Sequence, residues 1–306
     1  MTGVIAVLAT LTAYSMVTHD GRRLVSHREG TNEVFELVAT NALPKDLPAE
    51  RTRVVCNSEV GRQTTRDVGC QLESFVGEKT GGEVFYMQER PVPGKEIHGG
   101  VPICWPWFAR ASKAGLPKHG LARYLRWRLV QRINKTGVEM ECTSTPETLR
   151  LWPHEFRLSA TVEIVDARSV RVAFTEENTG AEPFEAAWGF HPYFAVAESQ
   201  EVAVDGRRRA PEAPDDIFRA DGRPHRLEDL AGGRTFEVTC SDNEEWIVWN
   251  PGVGRTPVCE TLGPDEWKRF HCLEPCTRTP RELKPGERRT HELTVTVTTP
   301  GPVPSR

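Results

Sequence analysis

Apolar and polar side chains alternate with a period of two along much of this 306-residue chain. Between positions 156 and 164, every even position is apolar and every odd position is polar. The same alternation resumes at 170–174 and at 293–298. A period of two is typical of a strand that buries one face, and residues Asp166 to Arg168 are a plausible hairpin loop between the first two strands.

Shorter apolar runs predict more strands, and turn residues separate them. The further strand candidates are 83–87, 127–133, 138–144, 184–196, 234–240, 246–249 and 269–273. Short helices are expected around 265–267 and 228–230, and the polar stretch 198–233 is expected to be a long surface excursion. Many short strands divided by glycine and proline turns favour an all-β, antiparallel sandwich or barrel.

Composition narrows the class of protein. Lys and Arg number 39 against 43 Asp and Glu, and the signs are mixed along the chain. Nucleic-acid binding favours a basic face, so we expect no nucleic-acid partner. The eight cysteines contain no C-x-x-C pair, which favours buried free thiols in a reducing cytosol.

The apolar stretch 4–17 raises the question of targeting. No Lys or Arg precedes it, whereas a secretory signal begins with a positively charged region. The stretch is also short for a membrane span. We therefore expect a cytoplasmic protein without a membrane partner, and a monomer by default.

Glu274 stands where a core residue would be expected. On a strand, Phe270, Cys272 and Glu274 fall on one face, while His271 and Leu273 fall on the other. An apolar setting raises the proton affinity of a carboxylate and suits it to act as a base near neutral pH. The alternative is a strand-end glutamate in an ordinary salt bridge.

Two histidines are candidates for the matching acid. His191 shares a strand face with Ala187 and Gly189, and small residues beside a histidine leave room for a ligand. His119 lies in a Pro-Lys-His-Gly loop, where Gly120 allows close backbone approach. Taken alone, either histidine could instead be satisfied by a backbone carbonyl or by water.

Cationic and aromatic side chains near these positions suggest a ligand. Lys118 and Arg123 flank His119 and could hold an anionic group such as phosphate. Trp249 is one of several aromatic residues that could give a sugar ring an apolar platform, although aromatic residues in β proteins are more often core.

Taken together, these segments resemble the hexose-6-phosphate mutarotases (glucose-6-phosphate 1-epimerases) of the aldose 1-epimerase superfamily. The similarity covers about residues 68 to 298 and rests on six stretches in the family's order. They are Gly99-Gly-Val-Pro-Ile-Cys-Trp-Pro-Trp-Phe108, Leu116-Pro-Lys-His-Gly-Leu-Ala-Arg123, Leu151-Trp-Pro-His-Glu-Phe156, Phe190-His-Pro-Tyr-Phe194, Val248-Trp-Asn-Pro251 and Cys272-Leu-Glu-Pro275.

The resemblance implies a β-supersandwich (galactose-mutarotase-like) fold. It implies a single domain over residues 51–300 that follows an N-terminal extension, 1–50, of uncertain structure. The implied reaction interconverts the α and β anomers of a hexose 6-phosphate without a cofactor or metal. By position, Glu274 matches the family's base, His191 its acid, His119 a second active-site histidine and Arg123 a residue that helps to hold the phosphate. On this reading Glu274 takes the anomeric hydroxyl proton, and a protonated His191 delivers one to the ring oxygen.

Three departures from the family pattern concern the substrate. His98 stands where the family usually has a substrate-binding arginine, and Lys118 replaces the usual Gln or Ser. The family's substrate-contacting aspartate is not evident, and its weak stand-ins are Asp215, Asp216 and Asp229. We count His98, Lys118, Arg123 and Trp249 as candidate substrate-binding residues.

Two alternatives stay open at this stage. One is a mutarotase that acts on non-phosphorylated sugars. The other is a non-catalytic carbohydrate-binding protein on the same fold, although a pure binder has no need for an acid/base pair.

Overall fold

A computed structural model describes seven segments of the chain: residues 22–29, 32–39, 53–89, 97–111, 115–209, 215–252 and 261–299. In the first two segments only the backbone is described. Residues 4–17, and with them the question of targeting, lie outside the described residues.

Strands dominate these segments, and every strand pairing is antiparallel. In chain order the strands are β1 Arg22–Glu29, β2 Asn32–Ala39, β3 Arg53–Ser58, β4 Gly61–Arg66, β5 Gln71–Gly77, β6 Ile103–Cys104, β7 Arg128–Ile133, β8 Gly137–Thr143, β9 Phe156–Ile164, β10 Ser169–Asn178, β11 Phe184–Phe190, β12 Tyr193–Ala195, β13 Val202–Val204, β14 Arg207–Arg209, β15 Asp216–Arg219, β16 His225–Asp229, β17 Arg234–Cys240, β18 Glu245–Trp249, β19 Phe270–Leu283 and β20 Arg288–Thr298. The all-β prediction is confirmed.

The largest sheet has nine strands in the order β14-β13-β16-β17-β20-β10-β9-β8-β7. β9 and β10 form the predicted hairpin, with Val170 opposite Ile164 and Phe174 opposite Ala160. Their apolar positions are buried and the intervening positions are more exposed, because successive strand residues point to opposite faces.

A second sheet runs β15-β18-β19-β11-β6, and β12 adds to it by pairing with β19. This sheet packs against the nine-stranded one. Trp188 of β11 stacks on His291 of β20, with ring centroids 3.7 Å apart, and Phe194 of β12 meets Phe236 of β17 at 5.1 Å. One cluster of buried apolar side chains contains residues from Val54 to Val297, so the core of this sandwich lies between the two sheets.

The core also contains a buried Glu–His pair in which both carboxylate oxygens are engaged. Glu176 accepts from the indole of Trp105 at 2.6 Å, and its other oxygen lies 3.1 Å from Nε2 of His291. Both side chains are completely buried. Buried hydrogen-bond networks rigidify a core, so we read this pair as structural.

Helices are short. The α-helix α1 spans Pro146–Leu151 and begins at a capping box in which Thr145 and Thr148 bond each other's backbone. Short 3₁₀ helices span Ala122–Tyr124 and Glu266–Arg269, and the second confirms the helix predicted near 265–267. Among the described segments no helix has the length and hydropathy needed to cross a bilayer.

The stretch 198–233 corrects the sequence analysis in two places. It contributes four short strands, β13 to β16, and is not merely a surface excursion. The helix predicted at 228–230 is wrong, because residue 228 pairs within β16. The buried Val202 to Val204 and Leu227 are too few to give a visible period among so many Arg and Pro residues. Segment 83–87 pairs only through isolated bridges at Phe85 and Met87.

The predicted free thiols are confirmed for the seven cysteines that the structure describes, six of them buried. Within the extension 1–50, β1 and β2 pair as a two-stranded hairpin. The boundaries of the extension and of the single domain 51–300 stay a prediction.

Candidate active site

The candidate site lies on the face of the six-stranded sheet that points away from the nine-stranded one. Alternation along β19 sends Leu273 into the core between the sheets. Cys272 and Glu274 point to the other side, as the sequence predicts, and Glu274 stands opposite Ile247 of β18. The strand therefore delivers a carboxylate and a thiol to one face.

His191 reaches the same place from the break between β11 and β12. Its backbone N–H donates to the carbonyl of Pro102 at 3.0 Å. Two residues earlier, Gly189 leaves room for the ring of Phe108, since a Cβ there would lie 2.5 Å from that ring. The space beside Gly189, which the sequence analysis assigned to a ligand, is thus filled by the ring of Phe108.

The central contact of the site joins His191 and Glu274. Nε2 of the imidazole lies 3.4 Å from Oε1 of the carboxyl group, and the side chains are only 6% and 3% exposed. That distance is longer than a good hydrogen bond. Oε1 of Glu274 and Nδ1 of His191 are both buried without a hydrogen-bond partner. In this contact the carboxyl group of Glu274 faces a histidine, and the roles of both side chains stay a prediction.

Burial governs the protonation of Glu274. Desolvation raises the pKa of its carboxyl group well above the usual value, as the sequence analysis expects. The nearby Asp215 carboxylate raises the pKa further, while the guanidinium of Arg123 lowers it. Glu274 thus has an increased affinity for a proton.

Burial acts on His191 in the opposite sense. Desolvation lowers the pKa of its imidazole well below the usual value, and electrostatic interactions with His119, Arg123 and His98 lower it further. Burial thus favours the neutral imidazole in the site without substrate, and the protonated His191 of the reaction stays a prediction. A cation in a dry setting needs a compensating anion, and burial favours the neutral form of Glu274 as well.

Aromatic rings enclose His191. Tyr193 stacks on one face, with centroids 4.8 Å apart and planes 11° apart, and Phe108 lies 6.4 Å away and nearly parallel. The predicted Trp249, half-buried at the end of β18, meets the imidazole edge at 5.7 Å. Trp249 thus lies at the site, as a wall beside His191.

His119 also lies at the site, 5.1 Å from the His191 ring in an edge-on contact. Its Nδ1 accepts the backbone N–H of Ala109 at 3.3 Å. A neutral imidazole that accepts at Nδ1 carries its proton on Nε2, so His119 offers an N–H donor. The next residue, Gly120, has φ +79°, and a Cβ there would lie 2.0 Å from the carbonyl oxygen of Trp105. The close approach predicted for Gly120 is present.

The two predicted cations differ in position. Arg123 is 5% exposed, donates to the carbonyl of Ile97 at 3.3 Å, and acts on the pKa of both Glu274 and His191. Lys118 is exposed, and its carbonyl accepts from Tyr124 at 3.3 Å. One cation therefore lies beside the acid/base pair and the other at the surface.

His98 is buried behind the pair. Its Nδ1 lies 3.2 Å from the hydroxyl of Tyr193, and its Nε2 lies 2.8 Å from Oγ1 of Thr261. Both ring nitrogens are thus engaged by side chains. His98 supports the ring that stacks on His191, and direct substrate contact by His98 stays a prediction.

The three stand-in aspartates separate clearly. Asp229 accepts from the backbone of Ala197 and Gly232, and Asp216 pairs with Arg209 at 2.7 Å. Asp215 is the exception, because its charge acts on Glu274. Its position in the chain carries no pattern that the sequence analysis could have used.

Cys272 was missed as a site residue. Its Sγ, a ring nitrogen of His191 and a carboxylate oxygen of Glu274 all lie within 4.8 Å of one another. The shared strand face of Cys272 and Glu274 was visible in the sequence, but only the fold brings His191 to both.

Sequence comparisons agree with the resemblance. A model of the aldose 1-epimerase family matches residues 66–217. A protein of Cenchrus ciliaris named "Putative glucose-6-phosphate 1-epimerase" is 29% identical over 253 residues, 72% of this chain and 76% of that protein. An Escherichia coli protein of the same name is 29% identical over 204 residues, 59% of this chain and 67% of that protein.

Structural comparisons establish the fold. The crystal structure of a "putative mutarotase (YeaD)" from Salmonella typhimurium superposes with a TM-score of 0.74 at 21% identity, over 97% of this chain and 99% of that one. A galactose mutarotase-like protein from Lactobacillus casei gives a TM-score of 0.64 at 15% identity, over 81% of this chain and 100% of that one. The predicted galactose-mutarotase-like β-sandwich is confirmed.

Proposed function

Because this chain is similar to the aldose 1-epimerase family over residues 66–217, we propose that it is a mutarotase, an isomerase that interconverts the α and β anomers of a hexose 6-phosphate. One observation carries the proposal. The buried carboxyl group of Glu274 has an oxygen without a hydrogen-bond partner, 3.4 Å from the imidazole of His191. An unsatisfied buried polar group costs folding free energy, and a substrate that meets this carboxyl group accounts for it.

The reaction needs two proton transfers at atoms that share one carbon. Glu274 removes the proton of the anomeric hydroxyl, C1 becomes a carbonyl, and the C1–O5 bond breaks as His191 delivers a proton to O5. Rotation about C1–C2 presents the other face of the aldehyde, and the same two groups run the steps in reverse. Since O1 and O5 are both bonded to C1 in the cyclic sugar, a base and an acid in contact with each other can serve both atoms.

The pair holds one proton in either stage of this scheme. With the cyclic sugar it is a carboxylate and an imidazolium, and with the open aldehyde it is a carboxylic acid and a neutral imidazole. Burial favours the neutral forms when no sugar is bound. In this scheme the cyclic sugar binds with the proton on His191. The positive charge of Arg123 favours the resulting carboxylate and disfavours the imidazolium.

The remaining residues have supporting roles in this proposal. His119 directs its Nε2–H to polarise the ring oxygen, since its Nδ1 is engaged by Ala109. Trp249 provides an apolar wall for the sugar ring, and Asp215 takes a sugar hydroxyl in place of the missing family aspartate.

The phosphate assignment is supported by the names of the relatives and by two cations. C6 is bonded to C5, which carries O5, so the phosphate of a hexose 6-phosphate lies near the group that protonates O5. Arg123 has its charge close to His191, and the exposed Lys118 can reach a phosphate from the surface. That the protein is a cytoplasmic monomer without a nucleic-acid or membrane partner stays a prediction.

Exchange NMR on glucose and glucose 6-phosphate tests the substrate. We expect faster exchange per enzyme for the phosphorylated sugar. In Arg123→Ala we expect the KM for glucose 6-phosphate to rise far more than the KM for glucose, while Arg123→Lys keeps part of the preference because it keeps the charge without the bidentate fork. Equal changes for both sugars would favour a mutarotase of non-phosphorylated sugars. Sugar binding without any acceleration of exchange would favour a non-catalytic binding protein.

A further inference from the structure

Glu274, His191 and Cys272 together have the composition of a metal site. Their candidate ligand atoms lie within 4.8 Å of one another, and all three residues are buried. Cys272 and Glu274 are held by the same strand, β19, and His191 by the adjoining junction of β11 and β12. The separations are set by a sheet register, so the cluster is rigidly supported.

One atom of the cluster points to a ligand. Oε1 of Glu274 is buried and without a hydrogen-bond partner, and Nε2 of His191 lies 3.4 Å from it. The other buried Glu–His pair, Glu176 and His291, has both carboxylate oxygens engaged and no thiol in such a group. The unsatisfied carboxyl oxygen and the nearby sulfur thus occur together at the candidate site.

The donor set matches a thiophilic divalent ion. Zn²⁺ takes imidazole nitrogen, thiolate sulfur and carboxylate oxygen at roughly 2.0–2.3 Å in a tetrahedral arrangement. Neighbouring ligand atoms of such a tetrahedron are about 3.3–3.8 Å apart on those bond lengths, so the observed limit of 4.8 Å requires only a modest closing movement. A thiolate and a carboxylate also balance the charge of the ion, which offsets the repulsion from Arg123.

We propose that His191, Cys272 and Glu274 bind one Zn²⁺ ion, and that the bound ion excludes the sugar. The proposal goes beyond the mutarotase function, since the geometry supports metal binding whether or not the chain turns over a sugar. Binding releases the thiol proton of Cys272 and the carboxyl proton of Glu274 to solvent. Three protein ligands leave a fourth position for water. The exclusion of sugar follows because the ion occupies the acid and the base.

Cobalt spectroscopy on the full chain tests the site without an activity assay. Co²⁺ substitutes for Zn²⁺, and a thiolate ligand gives it a charge-transfer band in the near ultraviolet. We expect one equivalent of Co²⁺ to produce that band and Zn²⁺ to remove it. In Cys272→Ser the band should vanish and the Kd for Zn²⁺ should rise by about 100-fold or more, since even the loss of an indirect supporting residue costs about 10- to 100-fold.

Cys276→Ser is the matched control. Cys276 is equally buried on the same strand, on the same side as Cys272, but is outside the cluster. The band should survive there. A wild-type protein without the band, a band that persists in Cys272→Ser, or a band lost in Cys276→Ser would each overturn the proposal.

A second set of variants covers the case in which Cys272→Ser does not fold. Calorimetric titration of Zn²⁺ into His191→Gln and Glu274→Gln should give a Kd weaker by about 100-fold or more in each, and an unchanged Kd in either would overturn the site. In an exchange assay, Zn²⁺ inhibition should be relieved by excess sugar. Stoichiometric Zn²⁺ binding without inhibition would overturn only the claim that the bound ion excludes the sugar. A metal-free wild-type protein that does not accelerate anomer exchange would instead count against the mutarotase function.

Discussion

At the scale of the residue, His191 takes its orientation from packing. Catalytic and metal-bound histidines are commonly oriented by a hydrogen bond from the second ring nitrogen, yet Nδ1 of His191 has no such partner. Tyr193 lies flat against the ring, and the hydroxyl of Tyr193 is tied to His98. The stacked rings therefore hold the imidazole in an orientation that a hydrogen bond fixes in other histidine sites.

This reading predicts the effect of changing Tyr193. In Tyr193→Leu the flat support is lost, and a displacement of about 1 Å in a catalytic group can cost on the order of 10²-fold in rate. We expect kcat for anomer exchange to fall by that order with a smaller change in KM. Tyr193→Phe keeps the stacking and loses only the hydrogen bond to His98, so it should retain most of the wild-type rate. Equal losses in the two variants, measured by exchange NMR on folded protein, would contradict an orienting role for the ring.

Single residues also mark the limit of prediction from sequence. Glu274 and His191 could be identified because an ionisable side chain interrupts an apolar strand, and the family motifs then fixed their pairing. Cys272 carried no comparable signal, since a buried cysteine is ordinary. Asp215 and the support given by His98 depend on contacts with residues more than fifty positions away, which no local pattern encodes.

At the scale of the element, the turn that carries His119 depends on Gly120. Its φ of +79° and the nearby carbonyl of Trp105 leave no room for a Cβ. The reciprocal bonds between Ala109 and His119 are made by this turn. A change at Gly120 should therefore act on both stability and the position of His119.

Gly120→Ala and Gly206→Ala form a matched pair. Gly206 has a similar φ of +75° with nothing within 4 Å of an added Cβ. An alanine at positive φ costs roughly 1 kcal/mol at either site, and overpacking adds about 1–3 kcal/mol at Gly120 alone. Chemical denaturation should reveal that difference in the free energy of unfolding. Equal losses at the two glycines would mean that the Trp105 carbonyl moves aside freely.

Strand β19 also carries His271, which faces the opposite side from Glu274. Burial, with a smaller contribution from Arg209, lowers the pKa of its imidazole to about 3. The unfolded chain takes up a proton near pH 6.5, and the folded chain does so only near its own lower pKa. The contribution of His271 to the free energy of unfolding is therefore complete above pH 6.5, the pKa in the unfolded chain. It is lost as the pH falls from 6.5 toward the folded-state pKa of about 3.

Urea unfolding at neutral pH and near pH 4 tests this effect. The pKa difference from 6.5 to about 3 spans about 2.5 units down to pH 4, at about 1.4 kcal/mol each, so His271 should account for a loss of roughly 3 kcal/mol. His271→Gln cannot gain that proton, and the difference in unfolding free energy between the two pH values should shrink by about that amount. An identical pH dependence in the variant would show that His271 is protonated or hydrated in the folded state.

At the scale of the whole molecule, the sheets follow from alternation where a strand buries only one face. β9, β10 and β20 have that pattern, and they form the centre of the nine-stranded sheet. The strands of 198–233 are three to five residues long and rich in Arg. Their pairing is decided by neighbours far along the chain, so local patterning could not reveal them.

The sandwich explains why the site is where it is. Its core lies between the two sheets, so residues on the outer face of β19 are free to serve a ligand without weakening that core. The two buried Glu–His pairs differ in the same way, according to whether they lie in the core or on the outer face. Both carboxylate oxygens of Glu176, which lies between the sheets, have hydrogen-bond partners, while Oε1 of Glu274, which lies outside them, has none.

That contrast gives the most direct test of the central claim, which is that Glu274 and His191 move the protons of anomer exchange. Exchange NMR on glucose 6-phosphate should be run on Glu274→Gln and on Glu176→Gln, the same substitution in each buried pair. A positioned acid or base contributes roughly 10²–10⁴-fold, so Glu274→Gln should lose at least about 10²-fold in rate, while folded Glu176→Gln should retain exchange and lose stability instead. A Glu274→Gln protein that exchanges anomers at a rate near that of the wild type would contradict the account.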